Sequence, residues 1–110
     1  MNETPNLDYI TNISKGDILF VKKILGIVAR ELPTEIASYK LHLKEKEYQK
    51  SADGVHKLKH KIRIFGLEKS YLLAADHEQN LREENLSLEA DFEQILETIL
   101  LFTNQKNQEI

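Results

Sequence analysis

The chain has 110 residues and a mass of 12.8 kDa, the size of one domain and too little for two independent cores. It contains no Cys, which excludes a disulfide framework, a zinc ribbon and a thiol nucleophile. Lys and Arg number 15 against 18 Asp and Glu, and a net charge of −3 provides no overall positive field for binding nucleic acid.

Apolar residues recur at three and four along the chain, and only four Gly and two Pro interrupt them, so the pattern predicts an all-α fold. Residues 1–6 are polar and read as a flexible N-terminus. Leu7, Tyr9, Ile10 and Ile13 predict a short helical extension over one end of the domain. Ser14 or Asp17 then caps a helix whose inner stripe is Ile18, Val21, Ile24, Leu25 and Val28. Leu32-Pro33-Thr34 is expected to end or kink that helix, because Pro lacks an N–H and displaces its predecessor from helical geometry. A further helix is expected beyond it, with Ile36, Tyr39 and Leu43 inward and Lys40, Lys44 and Lys46 outward. The segment from about Tyr48 to Phe65 reads as a long helix with Val55, Leu58, Ile62 and Phe65 on one stripe, stopped by Gly66. A further helix runs from Leu67 to about Leu81. The last one buries Leu88, Phe92, Ile95, Leu96, Ile99 and Phe102, with Glu89 and Asp91 at its positive end. Residues 104–110 read as a loose polar tail, so the expected fold is an up-and-down four-helix bundle over 7–103 with an N-terminal helical extension. No apolar run approaches the roughly 18 residues of a membrane span, and MNETPNLDYI has no signal-peptide pattern, so the expected address is the cytoplasm, without membrane contact.

Catalytic signatures are absent: the glycines are scattered singly, and no GxSxG, HExxH or EF-hand loop occurs. What stands out is the helix before Gly66. His56, Lys59, His60 and Arg63 fall at i, i+3, i+4 and i+7, on one outward face flanked by Lys57 and Lys61. Residues 1–66 hold 12 basic and 8 acidic side chains, residues 67–110 only 3 and 10, so the positive charge collects around this face. A neutral imidazole is a nucleophile, and ammonium groups beside it offset the charge of a transferring phosphoryl group. His56 and His60 are also spaced like two metal ligands, with Glu78 or His77 as a third. The surrounding cations repel a dication, so no metal is expected. His77 leans inward and reads as a partly buried histidine; Tyr9, Tyr39, Tyr48 and Tyr71 read as packing at the core edge.

The run Val55-His56-Lys57-Leu58-Lys59, with Gly66 ten residues after the histidine, resembles the histidine-containing phosphotransfer (HPt) domain of multistep phosphorelays, whose pattern is AHxLKG with a Gly ending the same helix. Gly16-Asp17 before an amphipathic helix, Leu32-Pro33, Glu47-Tyr48, Ala74 and Glu78 extend the similarity over roughly Leu7 to Phe102. The resemblance implies a carrier without kinase activity or cofactor of its own. His56 would be the phosphoacceptor, Lys59 would stabilise the phosphoryl group, and Glu78 would orient the ring. Lys57, His60, Lys61 and Arg63 would dock the partner. The implied partners are response-regulator receiver domains, which would carry the Mg2+, and a hybrid sensor kinase; the chain itself would be a monomer. Two departures bear on transfer: His60 stands where the family has Gly, and Lys61, Ile62 and Arg63 replace small residues. They keep a second expectation open, a non-transferring interaction module that docks a receiver or another acidic partner through the same face.

Overall fold

The computed structural model describes residues 3–109, which form five α-helices and, among the described residues, no strand. They are α1 (Asp8–Ile13), α2 (Ile18–Lys44), α3 (Tyr48–Ile64), α4 (Glu68–Arg82) and α5 (Glu89–Glu109). α2 packs on α3 and α5, α3 on α4, and α4 on α5, while α1 lies against α2. No helix is long and apolar enough to cross a membrane among the described residues.

α2 is a single helix of 27 residues with Pro33 inside it. This corrects the expected end at Leu32-Pro33-Thr34 and the separate helix expected after it. Pro33 is exposed, so the Ala29 carbonyl that loses its partner lies toward water. The proline costs about 3 kcal/mol in a helix interior. Leu32, Ile36, Tyr39 and Leu43 are all buried around and beyond it. Each contributes roughly 1.5–3 kcal/mol, so burial outweighs the proline. Asp17 caps the start, its carboxylate accepting from the backbone N–H of Leu19 at 3.0 Å and of Phe20 at 3.4 Å.

The tail is corrected with it. α5 continues to Glu109, Thr103 is buried, and a Cβ at Gly26 would lie 4.0 Å from the Asn107 side chain. A longer α2 gives a longer α5 something to lie along.

α3 buries Ser51, Ala52, Val55, Leu58 and Ile62. Gly54 explains how close it comes to α2: a Cβ there would sit 3.3 Å from the Tyr39 Cβ, tighter than ordinary contact. The α3–α4 turn is made at Gly66, whose φ of 77° suits glycine. Asn6 covers this turn. Its backbone N–H donates to the Phe65 carbonyl at 2.9 Å, and its side chain lies where a Gly66 Cβ would be.

Of residues 1–6, expected to be flexible, 1 and 2 lie outside the described residues, and 3–6 are tied to the body of the molecule. Leu67, at the N-cap of α4, makes no side-chain cap. The Glu3 carboxylate takes that place, accepting from the Lys69 N–H at 2.7 Å, the Ser70 N–H at 2.8 Å and the Ser70 hydroxyl at 3.0 Å. Burial alone would raise its pKa, but these donors and the Lys69 charge hold the carboxyl below its usual range.

Candidate functional site

Successive residues of α3 turn by about 100° around its axis, and that rotation sorts its charged side chains. With Leu58 and Ile62 inward, Lys59 falls toward α4, Lys61 toward α2, and His56, His60 and Arg63 away from the core. The exposures agree. The His56 side chain is 55% exposed, those of Lys59 and Lys61 only 14% and 13%. Lys57, His60 and Arg63 are exposed.

Glu78 of α4 is the centre of the site. Its carboxylate lies 3.2 Å from His56 Nδ1, 2.8 Å from Lys59 Nζ and 3.3 Å from Arg82 Nη2. Burial opposes its charge, yet Lys59, Arg82 and His56 together hold the carboxyl below its ordinary range. A carboxylate only accepts hydrogen bonds, so a neutral His56 ring donates from Nδ1 and keeps its lone pair on Nε2. Nε2 has no hydrogen-bond partner among the described residues. Arg82, which sequence reasoning did not single out, ties the arrangement together. It also bonds Asp53 at 3.0 Å and Gln49 at 3.0 Å on α3, fixing the C-terminal end of α4 against the start of α3 one turn beyond Glu78. Its only sequence signal is the i, i+4 spacing from Glu78.

Tyr71 does more than pack at the core edge. It is half-buried, and the Arg63 guanidinium lies 4.9 Å from its ring centroid, Lys59 Nζ 5.9 Å. It thus supports two of the cations from beneath. Lys61 stands apart from the expected docking set. Its ammonium is held between Glu31 at 3.0 Å and Glu35 at 3.0 Å, joining α3 to α2, and these carboxylates keep its pKa raised against the effect of burial.

The His60 ring stands edge-on to His56, centroids 5.2 Å apart. Beside His60, between α1 and α3, is an open cavity of about 480 Å³ lined by Tyr9, His60, Arg63, Ile64, Gly66 and Glu68. Among the described residues no group of three or more His, Asp or Glu side chains is placed to hold a metal ion.

His77 lies next in sequence to Glu78 and in the opposite environment. It is fully buried, its Nε2 2.8 Å from the Tyr39 hydroxyl and its ring against Phe92, while Nδ1 has no partner. Burial lowers its pKa to about 4 and pushes the Tyr39 hydroxyl above its usual range.

Comparison with family models, curated proteins and solved structures finds no match for this chain.

Proposed function

We propose that the chain is a phosphotransfer carrier of the histidine type, a four-helix up-and-down bundle (α2 to α5) that presents His56 to receiver domains. One observation carries this reading: an exposed imidazole whose Nδ1 is held by a carboxylate, leaving Nε2 open on a cationic face. In the proposed step the Nε2 lone pair attacks the phosphorus of a receiver aspartyl phosphate in line. The acyl phosphate P–O bond breaks, its electrons return to the aspartate carboxylate, and an Nε2–P bond forms. The Nδ1 proton stays on the ring, and Glu78 stabilises the positive charge the ring gains. Lys59 lies on the same carboxylate and adds positive charge beside the transferring group. Transfer onward to a second receiver reverses the step. The chain would act as a monomer and hold no nucleotide; Mg2+ would belong to the receiver.

Lys57 and Arg63 give the face a charge that suits an acidic partner, and the cavity beside His60 offers such a partner an apolar foothold at Tyr9 and Ile64. The His60 ring, edge-on to His56, favours a second reading, in which it crowds the approach and the face docks a partner without transfer.

The test is to incubate the protein with a phosphorylated receiver, and separately with phosphoramidate, and to measure acid-labile, base-stable label. The carrier reading expects label that His56→Gln abolishes. Label that survives His56→Gln removes His56 from the mechanism. Receiver binding without label from either donor leaves the docking module, and His60→Gly then shows whether the ring was the obstacle.

A further inference from the structure

The molecule carries a second unusual surface, far from His56. Four large apolar side chains where α1 hands over to α2 are exposed: Ile13 at 49%, Ile18 at 58%, Leu19 at 75% and Phe20 at 42%. Burying three consecutive apolar residues on one helix face is impossible, because each is turned about 100° from the next. Ile18, Leu19 and Phe20 therefore present apolar surface around most of the helix tip. A folded protein partner covers a helix from one side, and a fluid interface surrounds it.

The charges beside this tip are Lys15, Lys22 and Lys23, all exposed and none in an ion pair among the described residues. Lys22 and Lys23 lie one turn behind Ile18 and Leu19, about 6 Å along the axis. That matches the depth of about 5–10 Å to which apolar side chains enter the headgroup boundary of a bilayer, with the ammonium groups left at the level of the phosphates. Three carboxylates share this end. Asp17 is engaged with the Leu19 and Phe20 N–H groups, Asp8 lies in the first turn of α1, and Glu109, at the end of α5 two residues past the Asn107 that lies by Gly26, pairs with Lys106 at 3.4 Å.

We propose that the start of α2 is a docking tip that enters the interface of an anionic lipid bilayer, with Ile18, Leu19 and Phe20 in the apolar layer and Lys15, Lys22 and Lys23 at the headgroups. The absence of a spanning helix does not bear on this, since the tip lies in the surface and crosses nothing. A second copy of the chain is a poorer occupant: a two-fold contact through the tip sets the same three lysines against one another. Docked in this way, the protein keeps His56 away from the membrane. Gly54 on α3 packs on Tyr39, twenty residues along α2 from Leu19, which places the His56 end about 30 Å from the tip.

The experiment is sedimentation of the full-length protein with vesicles of phosphatidylcholine alone or mixed with an equal part of phosphatidylserine, at low and high salt. Binding is expected to the anionic vesicles only and to weaken with salt. Leu19→Asp and, separately, Lys22→Glu with Lys23→Glu are expected to reduce it about tenfold or more, with the helical circular dichroism unchanged. No sedimentation with anionic vesicles at low salt overturns the proposal, and so does binding that both variants retain. Analytical ultracentrifugation of the same proteins gives the other outcome: a dimer that Leu19→Asp dissociates assigns the tip to a second copy and overturns the lipid reading.

Discussion

His56 and His77 lie on adjacent helices, and one chain treats the same ring in two ways. On α3 the imidazole stands half in water with a carboxylate on Nδ1 and nothing on Nε2. On α4 it is sealed between Tyr39 and Phe92, one nitrogen paired and the other alone. The exposed ring contributes little to stability and keeps a lone pair available. The buried ring contributes packing and one hydrogen bond, and has no route to a partner. Histidine count therefore says little about chemistry in this protein; the neighbours of each nitrogen decide it.

The largest effect expected from separating the two is His77→Ala. It removes ring contacts to Phe92 and leaves the buried Tyr39 hydroxyl unpaired, so urea unfolding should show a loss of about 3 kcal/mol. Acid should single out the same residue. Its ring titrates at about 4 when folded and near 6.5 when unfolded. Between those values the unfolded chain binds a proton that the folded chain refuses, so stability falls as pH drops from about 7 to 4. The loss is on the order of 3 kcal/mol, and unfolding midpoints at pH 7 and 5 should converge in His77→Leu. Glu3 and Glu78 have pKa values held below 4.5, so their contributions disappear only at lower pH. Glu78→Gln is expected to cost about 1 kcal/mol, because Lys59 loses its only counter-ion among the described residues while Arg82 retains Asp53. In the carrier reading it also slows labelling of His56 by about tenfold, measured as initial rate from phosphoramidate. Smallest of all is His56→Gln, whose urea midpoint should move by less than about 0.5 kcal/mol. A larger shift there would mean that His56 is a structural residue after all, and the contrast with His77 would collapse.

Much of this arrangement is legible in the amino-acid order. The stripe Val55, Leu58, Ile62 and Phe65 fixes which side of α3 is inward, and that alone turns His56, His60 and Arg63 outward. Glu78 beside His56 came from likeness to a family pattern, because spacing within one helix cannot say which helix lies next to it. Lys61 and Lys59 look alike in sequence, yet one turns to α2 and the other to α4; only the positions of Glu31, Glu35 and Glu78 separate them. Pro33 misleads because the local rule ignores what the rest of the helix buries. The misread tail has the same origin, since α5 extends along the part of α2 that the proline appeared to detach. Glu3 is out of reach of any local pattern, because it acts on α4 from 66 residues away.

That last distance has a kinetic meaning. The helices join neighbours in the chain through short turns, a topology of low contact order that folds quickly. Glu3 can take hold of Lys69 and Ser70 only after the turn at Gly66 has brought the start of α4 into place, so its bonds form on the native side of the barrier. Glu3→Ala is therefore expected to steepen the loss of folded protein in time without delaying its formation: in a chevron, the unfolding limb rises and the refolding limb stays where it was. Glu3 acts as a latch on the lifetime of the fold.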